Sequence, residues 1–199
     1  MHTSRTRRIL PVIAWLAIAA LLLAGILRGF VVQRFTIPSE SMEPALQPGQ
    51  KITVWRMPAL SAGIERGDVV VFDGRGSMLP GTGPGGVQNI ASWFGIGPKD
   101  VFYVKRVIGT GGDEVVCCEG KHLTVNGEVL KEPYLKDQSG SASDIEFHVR
   151  VPEGRVWLMG DNRHNSTDSR NLLGRPGGGM VPLKRIIGTV RESDLRGSR

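Results

Sequence analysis

The chain has 199 residues, 40% hydrophobic and 22% charged, with a formal net charge of +6. That length holds one well-buried core with room for a small subdomain, and the balance excludes both a disordered tail and a polytopic membrane protein. Half of the net charge comes from Arg5, Arg7 and Arg8, and no aromatic-interleaved basic stripe follows, so nucleic acid is not an expected partner.

Residues 1–8 read as a basic tail and 9–30 as a membrane anchor. Ile9 to Leu27 (ILPVIAWLAIAALLLAGIL) carries no charge. As a helix it would span about 28 Å, close to a bilayer's hydrocarbon thickness. The run exceeds the length of about 7–15 residues of a cleaved signal's apolar region, so it reads as a retained anchor. The preceding arginines place the N-terminus in the cytoplasm and residues 31–199 outside, single-pass, at the plasma membrane. Just beyond lies TIPSESMEPALQPG (36–49), a proline-braced loop carrying Ser39, Ser41 and Met42.

KITVW (51–55) and DVVVF (68–72) read as strands, the second launched by the turn Arg66-Gly67-Asp68. Residues 74–100, with PGTGPGG, read as an insertion. Its Ile90, Trp93, Phe94 and Ile96 either dip into a bilayer interface or pack beneath the loop. VFYVKRVIG (101–109) and EVVCC (114–118) are further strands, and HLTVNGEVL (122–130) is a hairpin turning at Asn126-Gly127, inside a subdomain expected over 111–150. RVWLMG (155–160) and RIIGTV (185–190) complete the set. No long segment of helical period follows the anchor, so a mostly β domain of antiparallel sheet is expected over 31–199. The only cysteines are Cys117 and Cys118. Adjacent Cα atoms lie about 3.8 Å apart, below the usual disulfide range, so two thiols in a strand are the plainer reading and a strained bridge the alternative.

A serine nucleophile needs a base. The four histidines lack a supporting pattern, and there is no G-x-S-x-G elbow, though a Ser-His-Asp triad assembled in space stays open. Lysine is the alternative base. Free, it titrates near 10.4 and is a cation at neutral pH; keeping it neutral there by burial costs roughly 4 kcal/mol. Lys105 has the apolar neighbours for this, and alternation puts it on one face with Tyr103 and Val107, with Arg106 on the other. An exposed strand lysine would fit the same pattern.

Four stretches resolve the choice when taken together. PSESMEPAL (38–46), GDVVVF (67–72), YVKRVIGTGGD (103–113) and GDNRHNSTDSR (160–170) resemble, in order, the conserved boxes of the type I signal peptidases. These are membrane-anchored Ser/Lys endopeptidases that remove signal peptides from exported proteins, and the resemblance is to their short, single-anchor form. It implies that Ser41 is the nucleophile and Lys105 the general base, with Ser39 and the Ser41 N–H stabilising the oxyanion. It also implies that Ser166 orients the lysine, that Met42 braces the loop, and that Arg106, Asp161, Arg163, Asp168 and Arg170 form an ionic frame. Phe35, Ile37, Leu46, Tyr103 and Val104 match the family's shallow pockets for small residues, the A-x-A rule. The family needs no metal or cofactor. The implied partners are preproteins bearing signal peptides and the lipid bilayer, with the enzyme a monomer near the translocation machinery. Glu40 and Glu43 depart from the common pattern, and both are expected to face solvent, because an inward carboxylate would raise the lysine's pKa. A related protease with one dedicated substrate, or a non-catalytic peptide-binding domain, would share much of this sequence.

Overall fold

The computed structural model describes residues 13, 15–20, 32–55, 63–78 and 102–195. Most of the expected anchor, the basic tail and residues 79–100 of the insertion, including its Trp-Phe cluster, lie outside the described residues. Residues 15–20 are helical, with Trp15 and Leu16 exposed. No helix among the described residues is long and apolar enough to cross a membrane.

Among the described residues eleven strands build two antiparallel sheets. The larger holds β1 (Val32–Thr36), β2 (Lys51–Trp55), β3 (Val69–Asp73), β4 (Phe102–Thr110), β9 (Arg155–Met159), β10 (Val181–Pro182) and β11 (Ile186–Val190), in the order β1-β2-β11-β3-β4-β9-β10. The smaller holds β5 (Glu114–Glu119), β6 (His122–Val125), β7 (Glu128–Val129) and β8 (Phe147–Arg150), in the order β7-β6-β5-β8. The hairpin between β6 and β7 turns where expected. Asn126 and Gly127 both take positive φ, 54° and 81°, as a two-residue turn matched to strand twist requires.

The apolar run of β3 is buried on both faces, which is why it reads as continuous rather than alternating. Val69 and Val71 face one apolar cluster, with Ile37, Met42, Leu46, Ile52 and Val54. Val70 and Phe72 face a second, with Val107, Val156 and Leu158. A third cluster joins the sheets, with Trp157 and Met159 of β9 against Val115, Leu123 and Phe147 of the smaller one. The larger sheet therefore has a core on each side, and β4 runs through its middle between β3 and β9. In β5 the adjacent Cys117 and Cys118 form the bridge that the sequence left open, across a cis peptide bond.

Candidate active site

Ser41 sits where an extended segment is forced to turn. Ser39 is extended (φ −138°, ψ 166°) and leads into a single 3-10 turn, Glu40–Met42. Glu43 N–H donates to Glu40 O at 3.1 Å to close it, and Leu46 N–H donates to Met42 O at 2.9 Å. Met42 is buried in the cluster with Ile37 and Leu46. This apolar side chain fastens the turn to the core.

Lys105 comes from the middle of β4, opposite Val70 of β3. It is only 3% exposed, and its Nζ lies 2.7 Å from Ser41 Oγ, across 64 positions of sequence. Burial pushes the amine down from its ordinary value to about 8. The Asp168 and Asp161 carboxylates pull it up, and Arg170 adds to the lowering. Near that pH a large fraction of the lysine is neutral, and a neutral amine at this distance can accept the serine proton.

The charged residues of the 160–170 loop form a buried frame around the pair. Arg106 donates from Nε and Nη2 to the two Asp161 oxygens at 2.8 and 2.6 Å, and from Nη1 to Gly67 O at 2.7 Å. Its guanidinium also lies 3.9 Å from the centre of the Tyr134 ring. Arg170 makes the same fork on Asp168, 2.8 Å from both Nε and Nη2. Burial alone would raise the Asp168 carboxyl, but the Arg170 fork and the Gly160 N–H hold it below the usual carboxylate range. Arg163 pairs with Glu132 and donates to Gly160 O at 3.1 Å and Ala142 O at 2.9 Å. These are forked, fully desolvated contacts, unlike the exposed ion pairs of a solvated loop.

Other expected site residues fall into place unevenly. Ser39 Oγ lies 3.4 Å from Ser41 Oγ. The expected bond from Ser166 to the lysine amine is not made. The Ser166 hydroxyl is buried and packed against Gly160, on the Asp168 carboxylate side, where it helps hold that carboxyl low, while the amine is engaged by Ser41. A Cβ on Gly160 would overlap both Ser166 Oγ and the Ser41 carbonyl, so only glycine lets the two loops meet there. Of the apolar pocket residues, Phe35, Ile37, Leu46 and Val104 gather in one cluster, with Phe102 edge-on to Phe35 at 5.6 Å. Ile37 and Leu46 are fully buried and form its floor. Tyr103 does not join them: it faces the opposite side of β4 and stacks on Phe72, as strand alternation requires.

The two glutamates part company. Glu40 is exposed and accepts from Asn165 Nδ2 at 3.1 Å. Glu43 is half-buried rather than solvent-facing, because Lys136 binds its carboxylate at 2.6 Å. Neither is among the charges that move Lys105, which are Asp168, Asp161 and Arg170. Glu40→Gln is therefore expected to leave the acid limb of the pH–activity profile in place. A shift of that limb toward lower pH would show that Glu40 acts on the lysine.

Several residues of the frame were not singled out from the sequence. Asn162 lies inside the 160–170 stretch, overshadowed by its charged neighbours; its N–H donates to Ser41 O and its Nδ2 to Glu40 O, both at 3.1 Å. Glu132 and Tyr134 follow the hairpin, and Tyr134 donates from its hydroxyl to Glu132 at 3.0 Å. Burial and then Glu132 hold that phenol protonated far above its ordinary value. The juxtaposition of Glu132-Pro133-Tyr134 just after a hairpin was the available signal, and it was a weak one. Among the described residues no group of His, Cys, Asp or Glu side chains converges as a metal site.

Comparison with known proteins found relatives of this chain. A probable signal peptidase I of Mycobacterium leprae is 38% identical over 89% of this chain and 73% of its own length. A signal peptidase I of Bacillus licheniformis is 32% identical over 86% of this chain and 81% of its own. A crystal structure of a signal peptidase I from Enterococcus faecalis aligns with 65% of this chain and 97% of that one, at 24% identity and a TM-score of 0.45. The family model described as signal peptidase, peptidase S26, matches residues 10–193. The chain thus belongs to the S26 signal peptidase family and is a peptide-bond hydrolase.

Proposed function

We propose that this protein removes signal peptides from exported preproteins after an A-x-A-type motif, with Ser41 as nucleophile and Lys105 as general base. The observation that carries the reading is the 2.7 Å approach of a buried lysine amine to a buried serine hydroxyl. Neutral Lys105 takes the Ser41 proton as Oγ bonds to the scissile carbonyl carbon. The negative charge that develops on the carbonyl oxygen is met by the Ser41 N–H and the Ser39 hydroxyl, donors of a kind worth about 3–4 kcal/mol each. Lys105 then protonates the departing amine of the mature protein, and water, deprotonated by the same lysine, releases the signal peptide from Ser41.

The half-buried apolar surface of Phe35, Phe102 and Val104 suits small side chains on an extended peptide, which would lie between the loop before Ser41 and the start of β4, where β9 pairs only from Arg106 onward. The uncharged run from Ile9 to Leu27 supports a single-pass anchor, with the N-terminus cytoplasmic and the catalytic domain outside. Such tethering would hold the enzyme in the bilayer that also carries the substrate's apolar segment, raising effective concentration. In this reading the protein works as a monomer near the translocation machinery, without metal or cofactor. The test is incubation of the purified protein with a preprotein bearing A-x-A, beside the Ser41→Ala variant. Cleavage after the motif that disappears in the variant is expected. Cleavage that survives Ser41→Ala would remove the dyad, and no cleavage by the parent would leave a peptide-binding domain.

A further inference from the structure

Two peptide planes flank the Ser41 Cα, and one residue grips both. The Glu40–Ser41 peptide is trans, so its C=O and N–H lie in one rigid plane and point in opposite directions. Its oxygen accepts from Asn162 Nδ2 at 3.1 Å as well as from Glu43 N–H at 3.1 Å. The Ser41–Met42 peptide is held through its own oxygen by the Asn162 N–H, again at 3.1 Å. Pinning both planes sets φ and ψ of Ser41, and pinning the first aims the Ser41 N–H.

Asn162 is itself immobilised. It is buried, it opens onto the 3-10 turn Arg163–Asn165, and it directly follows Asp161, which is forked to Arg106. Arg106 is the neighbour of Lys105 on β4. The two-residue step Asp161-Asn162 therefore ties the peptide of the nucleophile to the strand of the base.

We infer that Asn162 is a positioning residue whose side-chain amide, by holding Glu40 O, orients the Ser41 N–H toward the oxyanion. This rests on the proposed dyad and oxyanion site. The amide contributes nothing to the ground-state peptide and acts only as charge develops on the attacked carbonyl, so its loss lowers kcat rather than raising KM. Misaiming a donor in such a site costs about 10- to 100-fold, somewhat less than deleting it.

The experiment compares the full-length protein with Asn162→Ala and the nearly isosteric Asn162→Leu. Both keep the backbone N–H that binds Ser41 O and lose only the amide. Two probes accompany turnover of a peptide substrate: a substrate-like peptide aldehyde and the matching peptide alcohol. The aldehyde forms a tetrahedral adduct, with Ser41 Oγ bonding to the carbonyl carbon, the π electrons moving to oxygen and the serine proton passing to Lys105. The alcohol binds without bond formation and reports whether the folded site survives. The expected result is a kcat loss of about 10- to 100-fold with KM within about twofold. Aldehyde affinity should fall by the same factor, alcohol affinity should hold, and the acid limb of the pH profile should stay in place. A kcat within about threefold of the parent overturns the inference. So does a loss that weakens aldehyde and alcohol alike or moves the acid limb, since that marks a merely structural role. A parent protein that binds the aldehyde no better than the alcohol would instead remove the dyad reading itself.

Discussion

Lys105→Ala is expected to reduce kcat for a peptide substrate by about 10⁴- to 10⁶-fold, the scale seen when a member of a coupled nucleophile–base pair is deleted. The same loss is expected of Lys105→Arg, because a guanidinium stays charged at any working pH and cannot accept the serine proton. In the parent, activity should rise with pH through about 8, the value to which burial pushes the lysine. The sign follows from the protonation states: below that pH the amine is an ammonium and cannot act as base, while above it the amine is neutral and can. A profile already flat between pH 6 and pH 9 would mean that another group accepts the proton. Activity retained in Lys105→Ala would say the same.

Asp161→Ala is expected to destabilise the protein by about 3–5 kcal/mol, read as a lower midpoint in denaturant. Arg106 is 4% exposed and loses both of its charged partner's oxygens, keeping only Gly67 O and the face of Tyr134. A buried guanidinium without its counter-ion is the costly outcome, more than the lost hydrogen bonds themselves. The double replacement Arg106→Met with Asp161→Leu should recover much of the loss, because no charge is then stranded. A single-variant loss below about 1 kcal/mol would show that water reaches Arg106 as readily as the carboxylate does.

Much of the larger sheet was legible because its strands are dense in β-branched residues and bounded by turn residues. KITVW matches β2, and the hairpin at Asn126-Gly127 was fixed by local chemistry alone. β1 was overlooked beside the far stronger apolar signal just before it. β8 was overlooked although Phe147 and Val149 alternate cleanly with exposed His148 and Arg150. For the candidate site, the resemblance of four stretches to the signal peptidase boxes pointed to Ser41 and Lys105, because by pattern alone a strand lysine reads alike whether buried or exposed. Its environment is set by Asp161, Asp168 and Arg170 arriving from a distant loop. Glu132 and Tyr134 were out of reach for the same reason, since a carboxylate on a loop reveals no partner until Arg163 is folded against it. Ile37 and Leu46 were expected in the pocket, and both are buried in the core. Sequence types told which side chains are apolar, not how deep each one lies.

The burial of Lys105 has a bearing on the life of the chain before it folds. In an extended polypeptide that lysine is an ordinary one, titrating near 10.4 and positively charged at neutral pH. Its partner serine is 64 residues away along the chain. A nascent molecule therefore carries both reactive groups in harmless form. On the proposed dyad, cutting power emerges only when the sheet closes and the amine is stripped of water. Latency during synthesis then needs no dedicated inhibitor, because the act of folding is itself the activation step.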